Sequence, residues 1–280
     1  MSLCHVVALL VLLAEPSPAR DGPRSSSEQR QRFAQNAAAA YRFQLAGQPA
    51  RKVVLENEPL LRWNNQVVRE DDGLLFLWSE GSKGRPVVAA QFFLVDRIWN
   101  HEFQSIADEP FEARNGDWTW KPAQRGVSWK TADGLAGDSP AQRLRQMKSW
   151  VGQFTAAVDP DQAFEGSEQL RLLTTPVYRY ASAEAGIVDG AIFAFVQGTN
   201  PEILLLVEAH TDGTWRYGFA RMSCFYLRVY RDGQIVWRAE REPVPTPKPT
   251  SSYFFRLSAQ VDRSAEIATE DKKVKTEAAK

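Results

Sequence analysis

Cysteine and histidine are scarce in this chain, two and three among 280 residues. Cys4 falls in the apolar N-terminal stretch, so a chain that loses that stretch keeps Cys224 alone and cannot close an internal disulfide. Cys224 stands in a strand-like run with no base beside it, which reads as a small buried hydrophobe and not a catalytic thiol. Only His101 and His210 lie beyond the N-terminal stretch, too few for a His-rich zinc site, and the sequence predicts neither metal nor cofactor. A surplus of charge is missing too. Lys+Arg and Asp+Glu each number 34, so the net charge is zero, which argues against nucleic acid as a partner. No nucleophile elbow, phosphate loop, dinucleotide fingerprint, His-Glu-x-x-His motif or calcium loop occurs. Nor does any apolar run approach the ~20 residues of a membrane helix.

What is present begins with residues 3–14, an almost continuous apolar run followed by Ser17-Pro18-Ala19, a small-x-small cleavage pattern. Residues 1–19 therefore read as a signal peptide and 20–25 as a polar leader. The expected location is periplasmic or extracellular, with no integral membrane segment after signal removal. Nine tryptophans imply a core or groove rich in large rings.

The chain then repeats an order of residues. Pro59-Leu60-Leu61-Arg62-Trp63, Asp72-Gly73, Gly81, Trp99, Phe103 and Trp120 return about 117 positions later as Pro176-Val177-Tyr178-Arg179-Tyr180, Asp189-Gly190, Gly198, Trp215, Phe219 and Trp237. A helix signature precedes each copy. The first starts at residues 25–27, with an apolar face of Phe33, Ala37, Ala40 and Tyr41. The second starts at Ser139-Pro140, with Gln142 closing a capping box and a face of Leu144, Met147, Val151 and Phe154. Strand-like runs follow each helix, with hairpin signals at Asn115-Gly116 and Asp232-Gly233. Residues 74–78, 191–196 and 203–207 are apolar at nearly every position, so these strands must be covered on both faces. The expectation is an α+β fold, predominantly antiparallel β, made by tandem duplication of a helix-plus-β-meander unit. Residues 26–133 form the first unit, 134–258 the second, and 259–280 a charged disordered tail. The two units either pack sheet to sheet or build one continuous sheet.

Residues 170–180 and 189–202, with 59–64 and 139–147, resemble a family of exported, uncharacterised proteins of the planctomycete type, over residues 54–238. The resemblance implies export and a shared fold. No activity, cofactor or catalytic residue comes with it.

Candidate functional residues follow from the repeat and from the few acid–histidine neighbours. Arg62 beside Trp63 and Arg179 beside Tyr180 suggest cations with stacking platforms for an anionic or sugar ligand, with Trp99 as a further ring. An arginine paired with an acid as framework is the competing reading. Asp72-Gly73 and Asp189-Gly190 read as turns entering buried strands, with a paired-carboxylate site as the sharper alternative. His101, with Glu102 or Asp108, is the candidate for acid–base chemistry. Adjacent strand residues point to opposite faces, which already sets His101 and Glu102 apart. His210 and Asp212 sit at a turn. The function expected is an exported non-catalytic binding or structural module of the cell envelope, with a small molecule, glycan or envelope protein as partner. The alternative is an exported hydrolase around His101.

Overall fold

The computed structural model describes residues 27–46, 51–65, 70–95, 98–160 and 167–261. The expected signal peptide and leader lie outside these residues; of the tail expected over 259–280, residues 262–280 lie outside them too, whereas 259–261 belong to the last strand, so the expected boundary falls too early. Helix α1 (Ser27–Ala39) is followed by β1 (Arg42–Leu45), β2 (Val53–Leu55), β3 (Leu61–Asn65), β4 (Glu70–Glu80), β5 (Pro86–Val95), β6 (Ile98–Ser105), β7 (Phe111–Asn115) and β8 (Trp118–Trp120). A short β9 (Lys130–Ala132) leads to helix α2 (Pro140–Val151). Then come β10 (Phe154–Asp159), β11 (Glu168–Leu172), β12 (Tyr178–Ser182), β13 (Ile187–Gln197), β14 (Asn200–His210), β15 (Trp215–Arg221), β16 (Tyr226–Arg231) and β17 (Gln234–Ala239), with β18 (Tyr253–Val261) last. The described residues are thus mostly antiparallel β-sheet with two helices.

The two halves are wired alike. In the first, β1 pairs β7, β7 pairs β8, and β4 takes β2, β3 and β5, with β6 beyond β5. In the second, β10 pairs β16, β16 pairs β17, and β13 takes β11, β12 and β14, with β15 beyond β14. The second half is one continuous sheet because β10 also pairs β11, whereas β1 and β2 share only the bridge Gln44↔Lys52. The last strand of each half crosses over. β9 follows the first half but pairs β15 of the second; β18 follows the second half but pairs β6 of the first. Each half therefore takes an edge strand from beyond the other.

Alternation along the central strands divides their side chains between two cores. Leu74, Phe76 and Trp78 face α1 and join Ala34, Ala38, Phe92, Trp99, Phe103 and Trp120 in one outer core. Phe193, Phe195, Ile203, Leu205 and Val207 join Met147 and Val151 of α2 in the other. Leu75 and Leu77 meet Ile192, Ala194, Leu204 and Leu206 between the sheets. The halves thus pack sheet to sheet with a helix on each outer face, which is why the apolar runs do not alternate. Burying each Leu, Ile, Val, Phe or Met side chain among these contributes about 1.5–3 kcal/mol.

Local signals in the sequence decide the ends of elements. Ser139 and Gln142 form the capping box, with Pro140 in the first turn. Asp232 and Gly233 take φ of 51° and 73° in the β16–β17 hairpin, the left-handed pair that a tight hairpin needs. Several expectations shift. α1 ends at Ala39, so Ala40 and Tyr41 stand beyond the helix, and Ala34 and Ala38 carry its buried face. Cys224 lies in the bend between β15 and β16, not in a strand. α2 ends at Val151 with Gly152 as its cap, so Phe154 begins β10 and is not on the helix face. Asp72-Gly73 and Asp189-Gly190 lie inside β4 and β13, not in turns. The Asn115-Gly116 hairpin turns at residues 116–117, since Asn115 already pairs Trp118.

Candidate functional site

Arg62 and Arg179 hold the same register, opposite Leu74 and Ala191. Each grips the aspartate of its neighbouring strand. Arg62 donates to Asp72 Oδ1 at 2.9 Å and Oδ2 at 2.5 Å, and Arg179 to Asp189 at 2.6 and 2.5 Å. A helix arginine completes each cluster, Arg30 at 3.5 Å from Asp72 and Arg143 at 3.1 Å from Asp189. Arg62 also donates to the Ser27 carbonyl at 2.7 Å, and Arg143 to the carbonyls of Gly137 and Asp138 at 2.9 and 3.1 Å. These clusters tie each helix start to its sheet. They are framework, one on each outer layer.

The rings beside these arginines point the other way, because neighbours on a strand face opposite sides of the sheet. Trp63 packs with Phe93, Tyr253 and Phe255, and Tyr180 lies between the sheets. Each covers a glycine across the strand pair, Gly73 and Gly190. The expected cation-with-ring sites at Arg62/Trp63 and Arg179/Tyr180 therefore do not form. Trp99 is fully buried under Phe33 and offers no platform.

His101, Glu102 and Asp108 do not converge. His101 is buried among Tyr41, Phe92 and Phe103. Burial, with the charge of Arg256 second, pulls its pKa down to about 3. Burial also pushes the Tyr41 phenol up to about 12, so it keeps its proton, and its hydroxyl shares a 2.7 Å hydrogen bond with His101 Nδ1. The ring is 5% exposed and its Nε2 is buried, so the imidazole is closed off from the surface. Glu102 lies on the opposite face, bonded by the Tyr253 hydroxyl. Burial and the Glu102 charge push the Cys224 thiol up to about 12, which leaves it inert. His210 lies 3.5 Å from Glu208, and Asp212 accepts from Thr214 N and Oγ1 at 2.9 and 2.7 Å, closing the turn. Among the described residues no group of three or more His, Cys, Asp or Glu is placed to hold a metal.

Asp108 and Tyr180 belong instead to a charged network along the seam between the halves. Tyr180 donates to Glu208 at 2.8 Å, and burial, then the Glu208 charge, drives its phenol well up. Arg216 donates to Glu208 at 2.5 Å and reaches Asp108 at 3.3 Å. Arg85 bonds Asp108 and lies 3.5 Å from Glu208. Trp129 gives its indole N–H to Asp108 at 2.7 Å, with the Arg216 guanidinium 4.3 Å from its ring centre. Burial alone would raise the Asp108 carboxyl, but Arg85, Trp129 and Arg216 outweigh it and hold it below the usual range. Above this network opens a cleft of about 330 Å³ whose lining includes Arg51, Arg85, Arg125, Arg216, Glu109 and Glu184. Arg51 bonds Glu80 at 2.9 Å and Glu109, and lies 3.7 Å from Glu184. Arg125 is exposed, with no ion-pair partner among the described residues.

The arginines of this cleft were missed in the sequence reading. One signal pointed to the network beneath it. Glu208 is the lone charge in the apolar run 203–209, and an acid in a doubly covered strand requires a buried donor. No helix among the described residues is long and apolar enough to cross a membrane. Neither a family model, nor a curated protein, nor a solved structure matches this chain.

Proposed function

We propose that this chain is an exported, non-catalytic binding module, a tandem duplication of one α+β unit, that holds an anionic small molecule or acidic glycan at the seam between its halves. The observation that carries the reading is the convergence of Arg51, Arg85, Arg125 and Arg216 on one cleft. Arg125 is free to take a ligand carboxylate, and guanidinium–carboxylate pairs are the directional, charge-assisted kind. Glu109 and Glu184 are 41% and 62% exposed and can yield their place beside Arg51 to a ligand. The sealed, neutral His101 favours binding over the hydrolase alternative. Support for duplication is the shared element order, the shared pairing scheme and the matched Arg–Asp–Arg clusters. Support for export is the apolar run at residues 3–14 with Ser17-Pro18-Ala19 after it.

Calorimetric titration of the full chain with trigalacturonate, against neutral maltotriose, tests this reading. The acidic sugar binds and the neutral one does not. Arg125→Ala weakens binding about tenfold or more, the loss expected for one hydrogen bond to a charge. Equal binding of the two sugars, or binding of neither, rejects the reading.

A further inference from the structure

Helices α1 and α2 correspond position by position. Arg30 and Arg143 reach the matching aspartates, and the buried Ala34 and Ala38 of α1 correspond to Met147 and Val151 of α2. The strands beneath are fixed the same way, with Trp99 opposite Leu94 in one hairpin and Trp215 opposite Ala209 in the other. In the first half Phe33 stacks on Trp99, with ring centres 5.3 Å apart and planes inclined by 22°. The matching position in α2 is Gln146, which has no ring. Its side chain is turned to the loop before the helix, accepting from Gly137 N at 2.8 Å and donating to the Leu135 carbonyl at 3.0 Å. The helix ring of the second half stands one turn further on, at Trp150, where α1 has Ala37. Tyr217 and Phe154 hold it edge-on at 4.3 and 4.9 Å. Space beside Trp215 is left over, a cavity of about 230 Å³ lined by Trp215, Trp150, Met147, Val207 and Leu135.

We propose that this cavity binds one small flat aromatic molecule, of phenol to indole size, in the place that Phe33 fills over Trp99. The size suits it, since an apolar cavity of about 150 Å³ already takes benzene. Two indoles and a thioether give stacking and sulfur–ring contacts to a flat ring. Asp133 at the mouth supplies an acceptor for a ring N–H or O–H. Leu135 is 75% exposed at the same mouth, and a bound ring takes part of that apolar surface out of water. The site lies apart from the charged seam and does not depend on the seam's ligand.

The test uses the full chain with methyl-labelled methionine. Met147 lines the cavity, while Met222 lies between the sheets. Titrated indole gives a saturable ring-current shift of the Met147 methyl with Met222 unmoved, and cyclohexanol, apolar but not flat, binds at least tenfold more weakly. Gln146→Phe restores the ring of the first half and weakens indole at least tenfold. No saturable shift at Met147 up to the solubility of indole overturns the proposal, as does undiminished indole binding by folded Gln146→Phe. Should that variant not fold, the native-chain titration decides alone. A capped Gly-Phe-Gly peptide binding more than tenfold tighter than indole would place the occupant on a polypeptide and overturn the small-molecule assignment.

Discussion

Trp63 presses on Gly73 across the β3–β4 pair so closely that a β-carbon at Gly73 would sit 2.1 Å from Trp63 Cε2. Tyr180 stands in the same relation to Gly190, where the added carbon would meet Cε2 and Cζ at 2.4 Å. These glycines are required by a ring and not by a turn. Gly73→Ala and Gly190→Ala should each lower stability by about 1–3 kcal/mol, the cost of overpacking a filled site. Denaturant unfolding would register this as a lower midpoint at unchanged slope. Unaltered midpoints would mean the rings are not held where they lie.

The Arg–Asp–Arg clusters make an ordered prediction. Asp189 is flanked by buried Arg143 and by Arg179, whose side chain is 35% exposed. Asp189→Ala leaves Arg143 buried without its counter-charge and should cost about 3 kcal/mol or more. Arg179→Ala removes a solvent-screened partner and should cost about 1 kcal/mol or less. Equal losses in equilibrium unfolding would refute the framework role assigned to the cluster.

His101 makes stability depend on pH. Its folded pKa of about 3 lies below the ordinary histidine value of 6.5, so between these limits the unfolded chain binds the extra proton. The stabilisation is fully present above pH 6.5 and is lost as pH falls toward 3, with a slope of up to about 1.4 kcal/mol per pH unit. Other groups titrate near the acid end, so the comparison with His101→Gln isolates the effect. That variant should be less stable at pH 7, yet lose less between pH 6 and pH 4. Parallel curves for the two proteins would show that His101 is not sealed.

Much of the framework was legible because it rests on local pattern. The runs 74–78, 191–196 and 203–207 announced doubly covered strands, and the sheets supply that cover. The Ser139/Gln142 box fixed the start of α2. Phe154 misled because the first residue of β10 happens to continue the helical spacing of Met147 and Val151 across Gly152. Asp189-Gly190 misled because glycine is common in turns, while its cause here, contact with Tyr180, is tertiary. β1 was missed since four residues, Arg42–Leu45, carry too little periodicity to register. The crossing of β9 and β18 to opposite halves has no local signature, because antiparallel pairing does not name its partner. The seam stayed hidden for the same reason. Asp108 stood out only as a partner for His101, and Arg85 and Arg216 are ordinary surface residue types until the sheets stack.

The central claim, that ligand chemistry sits at the seam and not at the repeated arginines, is tested most directly through the arginine side-chain N–H signals. Nuclear magnetic resonance of the full chain during titration with trigalacturonate would report each site separately. Saturable shifts are expected at Arg125, Arg51 and Arg216, with Arg62 and Arg179 unmoved. Shifts at Arg62 or Arg179, or none at the seam, would contradict it.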